Sequence, residues 1–189
     1  PYAVLVFLPG ILGIYYSFTD WNSYASDVNF VGLRNYAKVF SNSTGYMGYI
    51  TNTLLFTAVT TAMKTILGIL LALMFTGKSL KINNVHRMIV LSPQVMSYMI
   101  VGLVFRSLLN SQNGFVNIAL KSIGLGSLAQ NWLSDPTLAF VSVMAVDIWK
   151  GVGYIMVVVI AGLQVIPESY YEAAKMDGAT YWQRVRTIT

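Results

Sequence analysis

The stretch from Ile50 to Phe75 reads ITNTLLFTAVTTAMKTILGILLALMF, and Lys64 is its only charged residue. An α-helix needs about 20 predominantly apolar residues to cross the hydrocarbon core of a bilayer. This stretch would form about 39 Å of helix at ~1.5 Å per residue. It therefore predicts a membrane-spanning helix that is long enough to tilt.

Three further apolar runs flank this stretch, so spans are predicted over residues 1–18, 50–75, 88–109 and 138–166. Pro9-Gly10 should bend the first span, and Pro93 lies near the start of the third. The predicted fold class is all-α. It is a polytopic transmembrane helical bundle of four spans, in one domain over 1–189 that ends in a cytoplasmic helix-turn-helix over 167–189. Because the chain begins in an apolar run and its last residues, 185–189, show no capping or tail signal, we expect it to be a fragment truncated at both ends.

The composition excludes most other classes of protein. Of the 189 residues, 56% are hydrophobic and 10% are charged, whereas a soluble domain has about 25% charged residues. Disordered chains are poor in apolar residues and are excluded too. The absence of cysteine excludes disulfides, zinc-thiolate sites and iron–sulfur clusters. With no motif for a nucleophile, a metal or an acid–base pair, we expect no catalytic residue and no metal site. Because the basic residues are few and fall largely between apolar runs, we expect no nucleic-acid partner.

The positive charges predict which side each loop faces. The segment 77–87 carries Lys78, Lys81 and Arg87 and no acidic residue, and the tail carries further Lys and Arg. Because Lys and Arg accumulate on cytoplasmic loops, the loop 77–87 and the tail 167–189 are predicted to be cytoplasmic. The segments 19–49 and 110–137 would then lie outside.

Charged residues within spans are the first candidates for function. A lysine at the centre of a span, such as Lys64, costs about 2.5–3.5 kcal/mol on insertion scales and must face a cavity, a neighbouring helix or a partner charge. Asp147 and Lys150 are three residues apart and could pair on one helix face. Trp149 and Tyr154 beside them offer aromatic surface for sugars. These five residues form a candidate substrate path, although a purely structural role for the charges is an open alternative.

The tail has the signals of two short helices. Its sequence from Pro167 to Ala179 reads PESYYEAAKMDGA. Either Pro167 lies in the first turn of a helix, or Ser169 and Glu172 form a capping box at its start. Gly178 is placed for a left-handed C-terminal cap, and Thr180 with Gln183 predicts a capping box for the next helix. A helix with a flat alanine face suits docking into the groove of a partner protein, and an amphipathic linker lying on the membrane surface is the alternative.

Glu172-Ala173-Ala174 followed by Asp177-Gly178-Ala179 resembles the EAA loop of ABC importer permeases. The chain as a whole resembles the carbohydrate-uptake type, of the maltose or glycerol-3-phosphate kind that pairs with a second permease. Further residues carry this similarity: Asn52-Thr53, Gly114, Asn117, Trp132-Leu133-Ser134-Asp135-Pro136, Trp149, Gly162-Leu163-Gln164, Ile166-Pro167 and Tyr171. Lys64, Asp147 and Lys150 are not part of the general family pattern, and the family's later spans are absent.

The resemblance implies a transport subunit of a bacterial or archaeal cell membrane. Its partners would be a second permease, a dimer of ATP-binding cassette ATPases and an extracytoplasmic binding protein that delivers a sugar or sugar phosphate. Glu172, Ala173, Ala174 and Gly178 would couple this chain to the ATPase, with Asp177 and Ala179 in the same motif. ATP and Mg²⁺ would be used by the ATPase alone, so we expect no cofactor in this chain.

Other functions are weighed against this interpretation. An ABC permease for a non-sugar solute would carry the same loop. An ion-coupled secondary transporter would use Lys64 and Asp147 but needs no docking helix for a motor. A membrane-embedded enzyme would need a reactive constellation that the sequence lacks.

Overall fold

The computed structural model describes residues 2–24, 27–41, 45–76 and 83–188. In these ranges the chain is helical, with a single isolated β-bridge between Thr19 and Phe30 and no strand. The α-helices are α1 (Leu8–Ser17), α2 (Arg34–Phe40), α3 (Tyr46–Thr76), α4 (Asn83–Val95), α5 (Tyr98–Leu108), α6 (Phe115–Ser122), α7 (Pro136–Gln164), α8 (Glu168–Met176) and α9 (Tyr181–Thr187). The all-α prediction is therefore confirmed.

The chain divides into two compact units, Pro1–Phe56 and Thr57–Thr189. In the first unit, a π-helical turn over Ala3–Phe7 leads into α1, where Pro9 lies in the first turn. Proline lacks an N–H and its ring crowds the preceding turn, so the predicted irregularity takes the form of a widened turn before it. The side-chain amide of Asn35 in α2 donates to the carbonyl oxygens of Ser17 and Thr19 at 3.0 and 2.7 Å. These bonds hold the start of α2 against the end of α1.

Two helices of the described residues are long and apolar enough to cross a membrane by themselves. These are α3 with 31 residues and α7 with 29 residues, and each contains an 18-residue window with a mean hydropathy of 1.9. They contain the predicted run 50–75 and most of 138–166. The start of α7 is as the sequence indicates, because Asp135 caps it by accepting from the N–H groups of Thr137 and Leu138, both at 2.9 Å. Pro136 occupies the first turn of α7.

The third apolar run does not form the single helix expected over 88–109. It is divided between α4 and α5, which are bent by 98° at the break. Pro93 cannot donate to the helix, and Ser97 caps α5 by accepting from the N–H of Met99 at 3.3 Å. By length and composition the described residues thus contain two spans, or three if the bent pair is one span, and the first run forms a shorter apolar helix, Val4–Ser17.

The core of the second unit lies between α3, α4 and α7. Ala72 and Phe75 of α3 are buried against Met156 and Ile160 of α7, and Val90 of α4 packs on the same cluster.

Small residues bring the backbones of these helices close, as is typical of helix contacts within membranes. A Cβ atom at Gly153 would lie 2.8 Å from the Cα of Leu91 and would also strike the Val90 carbonyl. At Gly68 a Cβ atom would lie 2.7 Å from the Ile155 side chain.

The segment between α5 and α7 is organised around one buried amide. The Oδ1 atom of Asn117 accepts from Trp132 Nε1 at 2.8 Å and from the backbone N–H of Gln130 at 3.3 Å. Its Nδ2 donates to the carbonyl oxygens of Ser111 and Gln130. Asn117 is 3% exposed, so a side chain that would be costly to bury alone is satisfied on every side. Asn117 and Trp132, both named above for the family resemblance, thus contact one another directly.

Candidate functional site

An ion pair joins the two long helices within their apolar stretches. The Nζ atom of Lys64 in α3 lies 2.5 Å from Oδ2 of Asp147 in α7, and the two side chains are 21% and 16% exposed. Gly151, one turn along α7, makes room for the lysine, since a Cβ atom there would lie 3.0 Å from Lys64 Cδ. The predicted pairing of Asp147 with Lys150 is therefore wrong. Helical spacing permits that pair, but α3 presents a closer cation to the carboxylate.

Lys150 points instead toward the break between α4 and α5. It is 3% exposed, and its ammonium donates to the carbonyl oxygen of Gln94 at 3.2 Å. The same Nζ atom lies 4.1 Å from the centroid of the Tyr98 ring. The carbonyl end of α4 and the aromatic face both carry partial negative charge, so they replace the carboxylate as partners of this buried cation.

The aromatic residues of the candidate path remain accessible. Trp149 is 42% exposed and contacts Phe105 of α5 edge-to-face with ring centroids 5.2 Å apart, and Tyr154 is 55% exposed. Of the five residues predicted to line a path, the structure thus brings Lys64 and Asp147 together, turns Lys150 toward the helix break and leaves two aromatic side chains uncovered by this chain. Their role in binding a solute stays a prediction.

The tail forms two short helices, as the sequence predicts. Helix α8 begins at Glu168 after Pro167, so Ser169 lies inside the helix and no capping box forms there. The helix ends in a left-handed turn in which Gly178 has φ +75°. There the N–H of Ala179 donates to the Ala174 carbonyl at 2.9 Å and the N–H of Gly178 to the Lys175 carbonyl at 3.1 Å. This pair of bonds is the Schellman motif, and it satisfies carbonyls that the helix end leaves without partners.

The residues of the Glu172 motif lie on and directly after this helix. Glu172 and Ala173 are exposed, Ala174 is half-buried, Asp177 and Gly178 are exposed, and Ala179 is half-buried. Helix α9 follows with the predicted capping box, in which Thr180 accepts from the N–H of Gln183 and the Gln183 side chain accepts from the N–H of Thr180. The local fold of the segment is thus a helix, a tight turn and a second, capped helix.

Part of the predicted basic loop can also be placed. Residues 77–82, with Lys78 and Lys81, lie outside the described residues. Arg87 lies in α4, and its guanidinium donates to the carbonyl oxygen of Phe75 at the end of α3. Among the residues that the structure describes, no group of three or more His, Cys, Asp or Glu side chains is placed to hold a metal ion.

Sequence reasoning missed the residues that contact Lys150. Gln94 contributes only its backbone carbonyl, so its side chain gives no signal of the contact. Tyr98 was treated as one apolar position in a span. The signal that could have located both is the proline at position 93 followed by a serine at 97, because that spacing indicates a helix end and a new N-cap.

Comparison with known proteins places the chain in a transport family. The family model described as the binding-protein-dependent transport system inner membrane component matches residues 64–189. The chain is 32% identical over 189 residues to the "Probable ABC transporter permease protein YurN" of Bacillus subtilis (strain 168), covering 100% of this chain and 64% of that protein. It is 36% identical over 178 residues to the "Trehalose/maltose transport system permease protein MalF" of Thermococcus litoralis, covering 90% of this chain and 59% of that protein.

A solved structure shares the fold. It is the crystal structure of a bacterial ABC transporter involved in the import of the acidic polysaccharide alginate, with a TM-score of 0.83 and 28% sequence identity over 99% of this chain and 62% of that chain. The present chain thus spans roughly three-fifths of the length of these relatives, and the membrane-length helices identify it as an integral membrane protein. Because the family model matches residues 64–189, the chain belongs to the family of binding-protein-dependent transport system inner membrane components.

Proposed function

We propose that this protein is a membrane-spanning permease subunit of an ATP-powered importer that moves a sugar or sugar phosphate into the cell. The observation that carries the proposal is helix α8, which follows α7 directly and contains Glu172-Ala173-Ala174. The left-handed turn at Gly178 ends this helix. The half-exposed alanine face of such a helix suits insertion into a groove on a soluble partner. A movement of that partner would be transmitted along α7 to the membrane.

The partners follow from the same proposal. A dimer of ATP-binding cassette ATPases would hold α8 and use the ATP and Mg²⁺, so this chain itself would be neither an enzyme nor a cofactor-binding protein. A second permease would complete the path, and an extracytoplasmic binding protein would deliver the solute. The alginate transporter of similar fold has been solved in complex with an alginate pentasaccharide-bound periplasmic protein, which supports such a delivery step here. The loop 77–87 and the tail 167–189 would face the cytoplasm.

The substrate class is supported by the relatives. Besides the trehalose/maltose protein, they include the "Diacetylchitobiose uptake system permease protein NgcF" of Streptomyces coelicolor, at 29% identity. The exposed rings of Trp149 and Tyr154 are suited to stacking on sugar rings. Uptake of radiolabelled oligosaccharides into proteoliposomes, with ATP inside and the cognate binding protein outside, tests this class. Uptake that needs no ATP and collapses with the ion gradient would instead favour a secondary transporter.

The coupling role of α8 is tested at the turn. Gly178→Val places a β-branched residue at φ +75°, a left-handed conformation that costs an L-residue about 1–2 kcal/mol. We expect the variant to insert into the membrane normally and to lose most ATP-driven uptake, because α8 would no longer be held in its docking position.

Two matched controls separate coupling from general strain. Gly124 has φ +82° with open space around it and lies in the segment between α6 and α7, so Gly124→Val introduces the same kind of strain away from α8. Asparagine tolerates the left-handed region, so Gly178→Asn should retain uptake. Full uptake with normal ATPase association in Gly178→Val would contradict the docking role.

A further inference from the structure

The break between α4 and α5 leaves backbone groups that must find partners. Because the chain leaves helical geometry after Val95, the last carbonyl oxygens of α4 lose the N–H partners that a continuing helix would supply, and that of Pro93 accepts instead from the N–H of Met96 at 3.2 Å. In a membrane protein, such interrupted backbone is tolerated where protein or a watery cavity satisfies it. The Gln94 carbonyl is satisfied by a side chain from α7, the buried ammonium of Lys150, at 3.2 Å.

This ammonium touches both sides of the break. Gln94 belongs to α4, whereas Tyr98, whose ring centroid lies 4.1 Å from Nζ, is the first residue of α5. A single cation therefore bridges the end of one helix and the start of the next. Lys150 is 3% exposed, so its ammonium is shielded from solvent by the surrounding residues, whereas the Tyr98 ring is exposed on its other side.

The neighbouring ion pair leaves Lys150 available for this contact. Asp147 lies three residues away on the same helix and would compete for the ammonium, but it is engaged by Lys64 from α3. The two lysines thus divide the available partners. Lys64 takes the carboxylate, and Lys150 takes the carbonyl end of α4 and the aromatic ring.

The contacts that α4 and α5 make with α7 indicate that the Lys150 contact acts on the position of α5. Helix α4 is held tightly on α7, because Gly153 lies against the backbone of Val90 and Leu91. Helix α5 leaves α4 at 98°, and its later part meets α7 through Phe105 and Trp149. We propose that Lys150 is a positioning residue that clamps the break between α4 and α5 and thereby fixes the direction in which α5 leaves the α4–α7 pair. This inference rests on the contacts of Lys150 and does not depend on the transported solute.

The clamp is tested by distances between spin labels in the protein reconstituted in liposomes. The 189 residues contain no cysteine, so pairs of introduced cysteines label these residues cleanly. One pair, Val85→Cys with Leu103→Cys, reports on α4 relative to α5. A second pair, Val85→Cys with Val158→Cys, reports on α4 relative to α7. All three positions are exposed. In Lys150→Met, we expect the first distance distribution to broaden or shift while the second stays unchanged.

Companion variants separate a clamp from a general loss of packing. Lys150→Arg keeps a cation that can contact both a carbonyl and an aromatic ring, so it should restore the original distribution. Tyr98→Leu changes an exposed side chain, is expected to fold, and should reproduce the effect of Lys150→Met in part. The double variant Lys64→Met with Asp147→Asn removes charges nearby but leaves the clamp, so both distances should stay as they are.

Two results would overturn the inference. One is an unchanged α4–α5 distribution in both Lys150→Met and Tyr98→Leu. The other is an equal change of both distances in Lys150→Met, since this would show that the residue supports the whole unit rather than the break.

Discussion

Lys64 and Asp147 show how a charge is accommodated in an apolar helix. Each alone would be costly at the centre of a span, and each has the other at 2.5 Å. Pairing offsets the cost of burying the charges without making the pair a strong source of stability, because both groups are withdrawn from water. The pair therefore needs to be considered as a unit, distinct from Lys150.

A double-mutant cycle on Lys64 and Asp147 tests this separation. We expect Lys64→Met or Asp147→Asn alone to lower the free energy of unfolding by about 2–4 kcal/mol, because the remaining group is left in the membrane without its partner. The double variant should recover much of the lost free energy of unfolding. The coupling energy should then be above about 1 kcal/mol, as is usual for residues in contact. The measurement is reversible unfolding in mixed micelles.

The matched cycle uses Asp147 and Lys150, which are three residues apart on the same helix but make separate contacts. Its coupling energy should be much smaller than that of the first cycle. Equal coupling in the two cycles would show that the three charges act as one cluster, contrary to the contacts in the structure.

At the scale of the elements, close contact between α4 and α7 depends on one small residue. A methyl group at Gly153 would meet the backbone of Val90 and Leu91, which cannot move aside as a flexible side chain can. Gly153→Ala should therefore separate the helices and destabilise the protein by about 1–3 kcal/mol, the usual cost of overpacking.

Gly162 provides the control on the same helix. A Cβ atom there would meet nothing within 4 Å, so Gly162→Ala should be neutral or slightly stabilising through its better helix propensity. Thermal unfolding of the two variants in the same detergent measures the difference. Equal melting temperatures would mean that the α4–α7 contact does not set the stability of this unit.

Local sequence predicts the ends of the helices better than it predicts their neighbours. Asp135 with Pro136, Gly178, and Thr180 with Gln183 act through bonds to residues within five positions, so their roles can be read from spacing alone. The partner of Asp147 could not be read in this way. Helical periodicity offers Lys150, but which helix lies opposite is decided by packing between residues far apart in the chain.

At the scale of the whole molecule, hydropathy identifies the apolar runs but not the course of each one. The long runs forming α3 and α7 give unbroken helices, because no proline lies in their interiors. The run 88–109 has a similar composition but bends by 98° where Pro93 and Ser97 end one helix and begin another. The number of crossings is therefore set by backbone signals as well as by apolar length.

The predicted topology places the two ends of α7 on opposite sides of the membrane. Lys121 lies in the segment before α7 and Lys175 in the tail after it, and both are exposed. From the charge distribution we predict that the basic tail lies in the cytoplasm. Because these residues contain no cysteine, Lys121→Cys and Lys175→Cys can be labelled individually in intact cells with a membrane-impermeant maleimide. Lys121→Cys should react at once, and Lys175→Cys only after the membrane is permeabilised. Reaction of both in intact cells would contradict a single crossing by α7, and the reverse pattern would invert the orientation and remove α8 from any cytoplasmic ATPase.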